Sequence, residues 1–295
     1  MSNYKTVFFT LGILLIILGV SMMVPVVFQL IYNEFDSTFI TSGIITITFG
    51  ILFFLSNIDH LKLINTQQAF LLTALSWLSI ATFGSLPFFF SGLNLSITDS
   101  FFESMSGIKT TGATILNNLE SSPKGILVWR SMLQWLGGIG VILMAITLMP
   151  IMNIGGMQLL KISAYDTSEK ILPKSKEISK TLITVYISLT FLCALFYKIF
   201  GMNTFDSLTH SMTTIATGGF SNYDQSIGYF NNAYIEIVSI IFILLGSIPF
   251  ILYIKFISDD KKIIFKDEQV KLFFKLTLIS ILVLFIYLII VNESI

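Results

Sequence analysis

Two stretches of this chain combine hydroxyl side chains with glycine between long apolar runs. They are Ser104-Met105-Ser106-Gly107-Ile108-Lys109-Thr110-Thr111-Gly112-Ala113-Thr114 and Ser211-Met212-Thr213-Thr214-Ile215-Ala216-Thr217-Gly218-Gly219-Phe220-Ser221. Hydrocarbon offers no partners for free N–H and C=O groups, so non-helical backbone at membrane depth is tolerated only where protein buries it or where it lines a wet cavity. Threonine brings a hydroxyl that can anchor or line such a site, and glycine reaches dihedrals that let consecutive carbonyls point one way. The chemistry these residues support is the replacement of a cation's hydration shell by oxygen ligands, as in an ion filter. The sequence holds no His/Asp/Glu metal spacing, nucleophile constellation or phosphate loop, so the expectation is not an enzyme.

The elements that must hold these stretches are apolar. Of 295 residues, 54% are hydrophobic and 12% charged, and the mean hydropathy is +0.85. That composition predicts an all-α polytopic membrane protein. The formal charge is zero, and no basic run of nucleic-acid type is present. Cys193 stands alone in an apolar span, which excludes an intrachain disulfide and reads as a small buried residue. The apolar run from Val7 to Tyr32 is much longer than a signal-peptide core, so it is read as a membrane helix.

About seven spans are predicted, at 7–32, 38–57, 68–91, 125–152, 179–200, 232–254 and 272–291. Pro25 reads as a packing kink in the first. With a cytoplasmic N-terminus, the inner segments carry 13 of the 17 basic residues, leaving Lys109, Lys124, Arg130 and Lys198 outside. That is the positive-inside pattern. Between spans three and four, Ile97 to Met105 predicts a short helix with Thr98 or Asp99 as N-cap, broken at Gly107 and followed by an extended return. The same order recurs between spans five and six: Asp99-Ser100 and Ser104-Met105 match Asp206-Ser207 and Ser211-Met212 at a shift of 107 residues. A one-residue gap then aligns Thr111-Gly112 with Thr217-Gly218. The chain therefore divides into two N-terminal helices (1–60), a helix/pore-loop/helix unit (68–152), a second such unit (177–257) and the first helix of a third (268–295). Repeats in membrane transport proteins surround a shared pathway.

Phe101 to Gly107 with Thr110 to Thr114, then Trp129-Arg130-Ser131, Gln134 to Gly140 and Gly155-Gly156-Met157-Gln158-Leu159, resemble the bacterial Trk/Ktr potassium uptake proteins. So do Ala216 to Ser221, Asp224 and Ser226 to Phe230. The resemblance implies a potassium-channel-like pore of four linked units with re-entrant pore loops. It implies K⁺ as the transported ion, no organic cofactor, and filter positions at Thr110, Thr111 and Gly112 in unit one and Ala216, Thr217 and Gly218 in unit two. It further implies a multi-pass protein of the bacterial inner membrane, in contact with lipid, typically a homodimer under a cytosolic nucleotide-binding regulatory subunit.

Two features depart from that pattern. Units three and four are largely absent, which leaves a fragment, a split protein completed by a chain supplying them, two copies pooling four filter segments, or a truncated non-conducting interaction protein. Lys109 replaces a more usual neutral residue, and is expected to snorkel outward or pair with Glu103. Glu103 and Arg130 are otherwise expected in mutual or interfacial pairing, His210 as a hydrogen-bonded packing residue, and Glu236 at the outer mouth or headgroup level. Gly137, Gly138 and Gly140 read as close helix packing, and the Lys161–Lys180 loop as a solvated connector.

Overall fold

The computed structural model describes residues 4–58, 65–152, 168–258 and 262–293, with side chains over 4–58, 65–141, 178–257 and 262–291. Lys62, Gly155 to Leu159 and the start of the Lys161 loop lie outside the described residues. The described residues are helical throughout, joined by turns and short extended segments.

The first predicted span is two helices, α1 (Lys5–Ser21) and α2 (Met23–Ile31), joined at Met22. Pro25 removes a backbone donor in the first turn of α2, where the break falls. Helix α3 (Thr38–Leu55) packs along α1. Gly12 and Gly19 of α1 lie against the backbone of α3 at Gly50 and Gly43, leaving no room for a Cβ. The third span divides into α4 (Thr66–Gly84) and α5 (Leu86–Phe90), with Pro87 in the first turn of the second piece.

The short helix expected after the third span, α6, runs Ile97–Ile108, and the long α7 runs Lys124–Met152, matching the predicted 125–152. The N-cap of α6 is Ser96, not Thr98 or Asp99; its hydroxyl accepts from the Asp99 amide at 3.1 Å, while the Asp99 carboxylate reaches back to the Ser96 hydroxyl at 2.7 Å. Asp99 is the third residue of the helix because a capping box needs that spacing. Gly107 does not break α6 but sits in its last turn, where an added Cβ would stand 3.0 Å from Leu133 of α7.

Helix α8 (Ser168–Ile199) begins well before the predicted 179, so part of the loop expected as a connector is helical backbone. The second short helix is α9 (Thr204–Ile215). The sixth predicted span is not straight: α10 (Ala233–Ser247) and α11 (Phe250–Ser258) meet at 85°. Pro249 cannot continue the ladder and forces its predecessor out of the helical region, and Ile248 stands at φ −71°, ψ 135°. A one-turn helix, α12 (Ile263–Lys266), precedes α13 (Glu268–Glu293).

Five stretches among the described residues are long and apolar enough to cross a bilayer: Lys5–Ile31, Thr38–Leu55, Thr66–Phe90, Ile178–Ile199 and Glu268–Val291. The bent α10/α11 pair adds a sixth. The chain is a multi-pass membrane protein. One core gathers Phe39, Phe88, Trp129 and Leu133 around α7, and a second gathers Tyr186, Tyr197, Phe242 and Phe250 behind α9. Helix α7 packs on both α6 and α9, so it joins the two halves.

Candidate functional site: two converging filter segments

Both short helices are capped at the N-terminal end and released at the C-terminal end by the same backbone turn. Asn203 caps α9 by accepting from the Asp206 amide at 2.8 Å, as Ser96 caps α6. At the other end of α6, the amides of Lys109, Thr110 and Thr111 donate to the carbonyls of Met105, Gly107 and Ser106 at 3.0, 2.9 and 2.9 Å. After α9, the amides of Ala216, Thr217 and Gly218 donate to Met212, Thr214 and Thr213 at 3.1, 3.0 and 2.9 Å. Residues of positive φ then alternate with residues of negative φ: Thr110 at φ 54° and Gly112 at 82°, Thr217 at 53° and Gly219 at 82°. Alternation of this kind turns successive carbonyls to one side of the strand, and a non-glycine residue held there stores local strain.

The dihedrals fix the equivalence of the two segments. Thr110-Thr111-Gly112 corresponds to Thr217-Gly218-Gly219, with no gap. The gapped alignment placed unit two one residue early: Ala216 matches Lys109 as the cap of its helix, and Gly219 takes the place of Gly112. Sequence identity misled here because Gly218-Gly219 offers two glycines, and only the backbone conformation says which one bears the positive φ.

The segments lie side by side. A Cβ added to Gly112 would overlap the carbonyl oxygen of Gly218. Gly137 of α7 touches the Ile108 carbonyl and Gly246 of α10 touches the Ile215 carbonyl, so the inner helices approach the two turns at matching points. Gly138 meets Tyr186 and Ala216. These are packing roles.

Behind the first segment sits a buried ion pair. Arg130 Nε donates to Glu103 Oε1 at 2.8 Å, with the side chains 1% and 0% exposed. Glu103 also accepts from the Thr114 hydroxyl at 2.9 and 3.0 Å and from the Ile115 amide at 3.1 Å. Arg130 also donates to the Ser221 carbonyl at 2.8 Å and the Thr114 hydroxyl at 3.1 Å, and its guanidinium lies over the Phe220 ring. One turn along α7, Gln134 Oε1 accepts from the Phe220 amide at 3.1 Å. Arg130 and Gln134 of α7 thus hold the return that follows α9.

Behind the second segment, His210 takes the equivalent place. Its Nδ1 faces the Asp206 carbonyl and its Nε2 faces the Ser221 hydroxyl, both at 3.0 Å. Asp206 is saturated by Asn203, Asn222 and Tyr223 at 2.6, 2.8 and 2.7 Å. Burial, then the Asp206 carboxylate, push the Tyr223 phenol above its ordinary value, which keeps it a donor. Asp224 accepts from the amides of Asn118 and Leu119 at 2.9 and 3.1 Å, tying the two returns together.

Lys109 pairs with neither filter nor Glu103. It is exposed, and its ammonium stands 4.1 Å over the Trp77 ring. Glu236 is exposed in the first turn of α10, and Cys193 is buried.

The TrkH family model, described as cation transport protein, matches residues 36–293. The chain belongs to the TrkH family. The Trk system potassium uptake protein TrkI of Halomonas elongata is 36% identical over 279 residues, covering 94% of this chain and 57% of that protein. TrkH of Vibrio parahaemolyticus is 34% identical over 293 residues, covering 97% and 60%. The crystal structure of the potassium transporter TrkH from Vibrio parahaemolyticus superposes with a TM-score of 0.86 at 33% identity, over 96% of this chain and 58% of that one. The chain spans less than two thirds of the length of these TrkH-family relatives.

Sequence reasoning missed Gly219, and quoted Arg130 and Gln134 without assigning them the second return. Their spacing of four puts both on one helix face, but it does not say which segment that face meets.

Proposed function

We propose that this chain contributes two walls of a potassium-selective uptake pore, with the carbonyls of Thr110, Thr111 and Gly112 and of Thr217, Gly218 and Gly219 standing in for the hydration shell of K⁺. The observation that carries the reading is the contact of Gly112 with the Gly218 carbonyl, between segments of matching dihedrals. Selectivity of this kind comes from the number and field of the carbonyl dipoles. The inner ends of α6 and α9 turn their negative dipole ends toward the same place. No group in this arrangement is set up to make or break a bond, and none is needed. At −100 mV, inward movement of one charge is favoured by ~2.3 kcal/mol. The potassium uptake names of the relatives support the choice of ion.

The lysine distribution supports a cytoplasmic N-terminus in a bacterial inner membrane. The family resemblance supports dimer formation and a cytosolic nucleotide-binding regulator. Rubidium uptake into potassium-transport-deficient bacteria expressing the chain tests the reading, beside Gly112→Ser and Gly219→Ser. Uptake that falls in both variants, further in Gly112→Ser than in Gly219→Ser, supports it; uptake that both variants retain in full overturns it.

A further inference from the structure

Lys109 is the one charged residue in the two hydroxyl-glycine stretches, and it stands immediately before Thr110, where the first filter segment starts. As the C-cap of α6 it sits at the negative end of that helix, where a cation is favoured. The same end acts on an ion in the filter. A lysine ammonium is a compact point charge on a flexible four-carbon stem. It is close to K⁺ in size, so carbonyls that replace a hydration shell suit both. The tethered cation is therefore a built-in competitor for the site. Unit two carries none at this place, because the matching cap, Ala216, is an alanine buried against Gly138 of α7.

The contacts along α7 say where the ammonium is kept. Arg130 reaches Thr114 at one end of the segment, and Gly137 touches the Ile108 carbonyl at the other. Gly140 faces the tip of the Trp77 indole, which lies 3.8 Å from where a Cβ would stand. With a rise of about 1.5 Å per residue, the indole tip falls beyond the Thr110 end of the segment, on the side away from Thr114. The ring belongs to α4 and is half-buried against the core around α7, which fixes the face it presents. The Lys109 ammonium stands 4.1 Å over that face. Among the described residues it forms no salt bridge or hydrogen bond, so the indole is what holds it.

Resting on the filter reading, we infer that Trp77 is a positioning residue for ion passage: its indole face keeps the Lys109 ammonium beside the Thr110 end of the filter and out of the carbonyl ligands. Without the ring, the ammonium swings on its stem into the place of K⁺ and lowers uptake. The effect needs both residues, since a chain lacking the cation has nothing to keep aside.

Rubidium uptake is compared in potassium-transport-deficient bacteria expressing the unmodified chain, Trp77→Leu, Trp77→Phe, Lys109→Met and the Trp77→Leu/Lys109→Met double variant, at equal amounts in the membrane. A cation held on an aromatic face is favoured by about 2- to 30-fold. Trp77→Leu is expected to lower uptake by a factor in that range and Trp77→Phe by less, with the double variant recovering the level of Lys109→Met. Full uptake in Trp77→Leu would overturn the inference. So would a double variant as poor as Trp77→Leu, which would assign Trp77 to packing alone. A second measurement needs no ion flow: acetylation of the Lys109 amine by acetic anhydride in isolated membranes, read by mass spectrometry of its peptide. In Trp77→Leu, labelling is expected to rise when potassium replaces sodium, because K⁺ displaces the ammonium from the carbonyls. In the unmodified protein it is expected to be the same in both salts. Equal labelling of Trp77→Leu in both salts would overturn the inference. Rubidium uptake by none of the five chains counts against the uptake reading, and the labelling then decides the inference by itself.

Discussion

Glu103 and His210 are the same position in two copies of one structural idea, 107 residues apart. Each reaches from the middle of its re-entrant helix to the hydroxyl that ends its filter segment: Glu103 to Thr114, and His210 to Ser221. Those two hydroxyls also match, each accepting the amide two residues on, from Leu116 and Tyr223, at 3.1 Å. The geometry is conserved between halves while the charge is not. A carboxylate brings a buried cation with it, Arg130, and that cation then serves the neighbouring segment; an imidazole bonded at both nitrogens needs none.

The ion pair is worth most where it cannot be halved. Removing one partner leaves a buried charge, which costs about 3–5 kcal/mol. Arg130→Met is therefore expected to lower the melting temperature of the purified protein sharply, and Glu103→Gln less, because glutamine still accepts from Thr114 and Ile115. In the double variant the two effects are expected to sum to less than their separate values. Additivity in thermal unfolding would count against a coupled pair.

The two filter glycines are expected to differ under the same substitution. Both carry φ 82°, so alanine strains the backbone at each by about 1–2 kcal/mol. At Gly112 the methyl also overlaps the Gly218 carbonyl, whereas at Gly219 nothing lies within 4 Å. Gly112→Ala should abolish rubidium uptake, and Gly219→Ala should retain a measurable part of it. Equal loss would mean that the segments do not meet as described.

Gln134 holds the second return from α7, against Gly218. Gln134→Leu removes the acceptor for the Phe220 amide, a loss of about 1–3 kcal/mol for a buried unpaired donor. The expected signature is a fall in rubidium-over-sodium preference with the protein still in the membrane, and recovery of that preference in Gln134→Glu. A change in total uptake with unaltered preference would assign Gln134 to stability alone.

The bend between α10 and α11 rests on Pro249. Pro249→Ala restores a donor and lifts the restriction on Ile248, so the two helices should straighten. Spin labels at Ile241 and Ile257 report this as a longer mean distance. An unchanged distance would place the cause of the bend in the packing of Phe250 and Leu252 instead.

The helices, their approximate ends and the twofold repetition were legible in the chain, because apolar length and hydroxyl-glycine punctuation are local properties of sequence. Cys193, the pairing of Glu103 with Arg130 and the packing of Gly137 and Gly138 followed from residue type and place. The tertiary structure decided what depends on backbone conformation and on contacts between distant segments. It moved the cap of α6 to Ser96 and carried that helix past Gly107, since only the hydrogen bonds show where a turn begins. It selected Gly219 over Gly218 as the partner of Gly112, since two adjacent glycines are indistinguishable until one adopts a positive φ. It gave Arg130 and Gln134 to a segment some 90 residues away, a contact that no spacing within α7 could announce, because it exists only once the two units stand side by side.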